Sequence, residues 1–75
     1  PDGTLVYYSE TVTTPPFAEH LENLCVIQIK NGAAVLRKLT RGERFDTYNL
    51  EDFYGDKLEN QEVEWCAKIR FIKLP

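Results

Sequence analysis

No apolar run in these 75 residues approaches the roughly 18 needed for a membrane-spanning helix, and no basic-plus-apolar leader opens the chain. The default expectation is a cytoplasmic protein with no membrane partner. Histidine occurs once and cysteine twice, without the close Cys/His spacing that holds zinc, so no metal or other cofactor is expected. The four glycines form no phosphate-cradling loop and no nucleophile elbow. Excess positive charge is missing too. Nine Lys and Arg against twelve Asp and Glu leave a net charge of -3, and the cations are scattered, whereas phosphate neutralisation needs a concentrated positive surface. There is no repeat and no low-complexity tract. No initiator methionine precedes Pro1-Asp2-Gly3, which suggests that something upstream was removed.

What is present reads as one small domain, residues 1–75, near the lower size limit at which an apolar core holds without disulfides, metal or a partner chain. A partner is therefore expected from size alone. Cys25 and Cys66 each lie in a β-like run and read as two buried free thiols of a cytosolic protein rather than a disulfide. The stretch from Leu24 to Leu39, LCVIQIKNGAAVLRKL, reads as a β-hairpin, because two apolar β-branched runs flank Asn31-Gly32, the dipeptide suited to the two positive φ angles of a type I′ turn. A two-residue turn pairs Lys30 with Ala33, Gln28 with Val35, Ile27 with Leu36, Val26 with Arg37 and Cys25 with Lys38. Alternation then places Cys25, Ile27, Ile29, Ala34 and Leu36 on the core face, with Lys38 at its end.

Before the hairpin, Thr4 to Tyr8 has strand composition, with Tyr7 and Tyr8 on opposite faces and at least one of them available to another chain. The polar segment from Ser9 to Pro16 ends in two prolines and is read as an exposed connection. Phe17 to Asn23 suits a short helix or a tight turn, with Pro16 pre-setting its first turn. After the hairpin, Phe45 to Leu50 alternates as a further strand. Glu51 to Gln61 is read as a loop whose aromatics, Phe53 and Tyr54, tuck back onto the body. Val63 to Leu74 is expected as a long strand, strongly one-sided through its middle, with Val63, Trp65, Ala67, Ile69 and Phe71 on one side. The fold expected is all-β, four or five strands arranged as twisted ribbons around the central hairpin, with little helix.

Candidate chemistry is sparse. His20 reads as a solvated surface histidine, Ser9 as a surface serine without a base nearby, and Glu51, Asp52, Asp56, Glu59, Glu62 and Glu64 as a solvated acidic face. Trp65 and Tyr48 read as core or interface anchors, because Arg and Lys do not flank them as in single-strand binding. Lys38 differs. A lysine amine acts as a general base only when an apolar surround holds it neutral, which the end of an Ile, Cys and Leu face would provide; the alternative is a lysine that snorkels past the sheet edge to water.

The order PDGTLVYY, LCVIQIKNGAAVLRKLTRG, YNLEDFYG and VEWCAKIRFI resembles the C-terminal domain of LexA-like, phage-repressor-type transcription regulators with a serine/lysine self-cleavage site. The resemblance covers almost the whole chain through short, degenerate motifs. It implies a LexA-like, prophage-type dimerisation domain that meets DNA only through a helix-turn-helix unit absent from this chain, and hence a two-fold homodimer. Two departures bear on activity. The position of the nucleophilic serine falls before Pro1, so the chain as given is expected not to cleave itself and not to act as an enzyme. An ungapped match of RKLTRG places Arg37, rather than Lys38, at the family's lysine position, and arginine stays protonated. A one-residue bulge would instead bring Lys38 there. The other reading of the sequence is a small SH3-like or OB-like β-barrel that binds a peptide or another subunit, and a third is a nucleic-acid-binding barrel.

Overall fold

The computed structural model describes residues 3–8, 10–13, 15 and 17–74, the side chain of Phe71 excepted. The expectations for Ser9 as a surface serine, for Pro16 as a helix opener and for the turn at Pro1-Asp2 lie outside the described residues. The chain is all-β. Six strands are described, β1 (Leu5–Tyr8), β2 (Leu24–Ile29), β3 (Ala34–Arg41), β4 (Tyr48–Glu51), β5 (Lys57–Gln61) and β6 (Val63–Lys73), with one 3-10 turn at Ala18–His20. They form one antiparallel sheet in the order β1-β6-β2-β3-β4-β5.

The central hairpin forms where expected, but one residue out of the expected register. Val26 lies opposite Leu36, Ile27 opposite Val35 and Cys25 opposite Arg37. The loop has three residues, not two: Ile29 N–H donates to the Ala33 carbonyl at 3.1 Å, and Gly32 N–H donates back to the Ile29 carbonyl at 3.0 Å. Only Asn31 takes left-handed backbone, at φ 57°, and Gly32 does not. The Gln28 side-chain amide braces the loop, donating to the carbonyls of Gly32 (2.7 Å) and Ile29 (2.9 Å). Because side chains alternate with period two, a one-residue slip moves the whole inward set of β3 to the other face. The core side of β3 is therefore Val35, Arg37 and Leu39, and Ala34, Leu36 and Lys38 point the opposite way.

Burial explains why this register is adopted. Leu39 lies opposite Leu50 on β4, and both are fully buried, as is Tyr48 two residues before Leu50. The two-residue turn would have exchanged Leu39 for Lys38 at that position, and an amine in an apolar surround costs far more than the turn geometry returns. The core contains Phe17, Cys25, Ile27, Leu39, Tyr48, Leu50 and Cys66, with Val12, Leu21, Ile29, Val35 and Val63 packed against it. The linker supplies part of its cover. Phe17 is buried, its ring centroid 5.4 Å from that of Tyr48, and its N–H donates to the Tyr48 hydroxyl at 3.4 Å. Val12 exchanges two backbone hydrogen bonds with Cys66, so the polar connection is partly tied to the sheet.

Two further expectations are corrected. The segment from Glu51 to Gln61 is a hairpin, with β5 pairing β4, and Phe53 and Tyr54 stand out at its tip, 73% and 92% exposed, instead of folding back. Asp52 accounts for the shape of that tip, since its carboxylate accepts from the N–H groups of Tyr54 (2.8 Å) and Asp56 (3.0 Å). Strand β6 is not one-sided. Cys66 and Ala67, on opposite faces, are both fully buried, with Cys66 in the core and Ala67 opposite Val26 on the second face.

Candidate functional site

Strand β3 carries the two residues that the sequence proposes for chemistry, and the register sends them to opposite faces. Lys38 lies between Leu24 on β2 and Glu51 on β4. Its amine is 3.8 Å from the Glu51 carboxylate, and the side chain is 41% exposed. Glu51 also meets Lys57 at 3.8 Å, so one carboxylate sits between two amines at the sheet surface. Lys38 thus stands among charged groups at the sheet surface, not in the apolar surround a lysine base requires. With the three-residue loop, Lys38 lies on the face opposite that of Cys25 and Ile27, not at the end of theirs.

Arg37 takes the inward position. It is half-buried, lies opposite Cys25, and its guanidinium donates to the Leu50 carbonyl at 3.4 Å. No register shift interrupts the pairing of β2 with β3, so the bulge that would exchange Arg37 for Lys38 is not there. Cys25 is also paired with Lys68 on β6, which makes a row of Lys68, Cys25 and Arg37 across three strands on one face.

Both cysteines are free and buried. Burial pushes the Cys25 thiol up to about 11, with Lys68 pulling the other way. Burial pushes Cys66 up to about 12, and the neighbouring Cys25 adds to the rise. A thiol in that state is a poor nucleophile and a poor metal ligand, so these residues act as small core apolar groups. Among the described residues no three of His, Cys, Asp and Glu converge as a metal would require. His20 closes the 3-10 turn and is half-buried; the carbonyls of His20 and Asn23 receive the Cys25 thiol at 3.7 and 3.4 Å.

The clefts lie elsewhere. An open groove of about 580 Å³ runs along the β3–β4 connection between Arg41, Arg44, Phe45 and Tyr48. A second, of about 470 Å³, lies on the other side of Phe45 and Arg44, against Asn60 and Glu62. Neither Lys38 nor Arg37 lines them. Asn60 fixes the loop between the two grooves: its side-chain carbonyl accepts from the N–H of Glu43 (2.8 Å), the N–H of Arg44 (3.2 Å) and the hydroxyl of Thr47 (3.2 Å). Sequence reasoning missed this residue, since an isolated asparagine in a polar run gives no signal until β5 is recognised as a strand. Trp65, expected as an anchor, is half-buried with its ring stacked on Tyr8 at 6.5 Å between centroids. Among the described residues no helix is long and apolar enough to cross a membrane. Comparison with known protein families, with curated proteins and with solved structures finds no match to the chain.

Proposed function

We propose that the chain is the dimerisation domain of a LexA-like, phage-repressor-type transcription regulator that does not cleave itself. The observation that carries this reading is the inward placement of Arg37. In the ungapped match of RKLTRG, the family's lysine position falls on Arg37, and β3 turns that residue, not Lys38, toward the face shared with Cys25, Ile27 and Leu39. A guanidinium there keeps its proton at any physiological pH, so the position hydrogen-bonds and carries charge but cannot take a proton from a serine. The protein so described works as a homodimer in the cytoplasm, with DNA contacts made by a separate domain, in keeping with its net charge of -3.

The barrel reading has less support, because the sheet order is linear and no pairing joins β1 to β5 among the described residues. Sedimentation of the chain from about 1 to about 500 µM separates these readings. A reversible dimer that ignores DNA oligonucleotides is the expected result. A monomer across that range overturns the dimer reading, and oligonucleotide binding that weakens steeply with salt overturns it in favour of a nucleic-acid module.

A further inference from the structure

One hairpin carries the net charge of the chain. From Glu51 to Glu59, the tip between β4 and β5 with the start of β5, four acids (Glu51, Asp52, Asp56 and Glu59) stand against Lys57 alone, while the rest of the chain holds eight charges of each sign. All of the -3 therefore sits here. Glu51 is matched by Lys38 and Lys57, each at 3.8 Å, but among the described residues Asp52, Asp56 and Glu59 form no ion pair.

The same tip carries two of the three most exposed large apolar side chains described, Phe53 at 73% and Tyr54 at 92%. The third, Phe45 at 98%, lies on the β3–β4 connection among Arg41, Arg44, Glu43 and Asp46, where neither sign of charge prevails. The tip is also fixed in shape. The Asp52 carboxylate accepts from the N–H groups of Tyr54 and Asp56, the Asp52 N–H donates to the Asp56 carbonyl at 2.9 Å, and Gly55 supplies the left-handed backbone, at φ 87°, that closes the turn. Aromatic groups held out on a braced turn lose little freedom on binding, so more of their burial appears as affinity.

We propose that the β4–β5 tip docks into an apolar cleft of a partner protein whose rim carries lysine and arginine. Phe53 and Tyr54 are the anchors, and the exposed Asp56 and Glu59 meet the rim. This inference stands apart from the dimer reading above. The charge selects the class of partner, since a nucleic acid or an anionic lipid surface would meet charge of its own sign at this tip. At about 200 Å² per aromatic side chain, the two anchors keep on the order of 330 Å² exposed, which fits a weak and transient contact.

The test titrates the whole chain with a short amphipathic helical peptide of leucine and lysine, read by the backbone amide NMR shifts of the protein. Two control peptides replace its lysines by glutamate or its leucines by serine. The leucine and lysine peptide is expected to shift the amides of residues 52–56 and to saturate, with both controls binding at least about fivefold more weakly. Replacing both anchors, Phe53→Ser with Tyr54→Ser, should weaken binding about tenfold, and Phe45→Ser should leave it within about twofold. The anchors lie outside the core, so the paired variant is expected to fold, and its unchanged amide spectrum away from the tip checks this. Absence of binding, equal binding of either control, or shifts centred on residues 42–48 overturns the proposal. Tip amides that shift with protein concentration alone assign the tip to a second copy and overturn it as well; sedimentation reads the dimer separately.

Discussion

Cys25 and Cys66 show how burial alone sets the chemistry of a side chain. Against an ordinary value of 9.0, their thiols are pushed up to about 11 and about 12, with burial the main cause in both. Between pH 9 and pH 12 the folded chain keeps protons that the unfolded chain has already released. Stability therefore falls as pH rises through that window, and these two groups contribute no slope near neutrality. Denaturant midpoints measured from pH 8 to pH 11 should decline, and Cys66→Ala should decline less steeply over the same range. At pH 8 both thiols should resist an aromatic disulfide reagent until denaturant is added; rapid reaction in the native state would contradict their burial. Asn60 is the polar counterpart. It sits at φ 53°, and its amide oxygen receives three donors from the β3–β4 loop. Asn60→Gly keeps the backbone angle available and removes only the acceptor, so a loss of about 1–3 kcal/mol is expected. Faster hydrogen exchange at the Glu43 and Arg44 amides should accompany it.

The hairpin between β2 and β3 decides which residues face the core, and its loop supplies a test of the register. Asn31 carries the positive φ, whereas Gly32 does not and has Ile29 Cγ2 3.2 Å from where a Cβ would stand. Asn31→Ala should cost about 1 kcal/mol for placing an alanine in left-handed backbone. Gly32→Ala should cost less, because its backbone angle suits alanine and the Ile29 Cγ2 and Cβ, 3.2 and 3.3 Å from the added Cβ, need to shift by only a few tenths of an ångström. A two-residue type I′ turn demands positive φ at both positions and predicts a substantial cost at each, so urea denaturation of the two variants discriminates between the registers. The strand run, the hairpin and the closing strand were legible from β-branched and aromatic content. The register was not, because Asn-Gly suits both loop lengths, and the deciding contact, Leu39 against Leu50, is made with a strand outside the hairpin. Strand β5 was hidden for a related reason: Lys-Leu-Glu-Asn-Gln has little strand propensity and is held by pairing with β4. Phe17 was legible as apolar but not as core, since nothing local places it against Tyr48.

At the scale of the whole molecule, charge is distributed unevenly along the sheet. The second half of β6 carries Lys68, beside β2, and Arg70 and Lys73 beyond it, while the β4–β5 hairpin carries Glu51, Asp52, Asp56 and Glu59 against a single Lys57. Two modes of self-association follow from that arrangement, and they respond to salt in opposite ways. A head-to-tail contact would set the basic ribbon of one copy on the acidic hairpin of the next. It would leave a free end for further addition and would depend on attraction between exposed charges. Raising salt from about 50 to about 500 mM shortens the screening length from roughly 14 Å to about 4 Å, so such a contact should weaken severalfold. A two-fold contact sets one patch of each copy against the same patch of the other, so like charges meet and the attraction comes from apolar burial. Salt screens that repulsion without weakening apolar burial, so such a dimer should hold or tighten slightly over the same range. Sedimentation across that salt series reads the sign directly, and a dimer that loses affinity with added salt points to the head-to-tail mode.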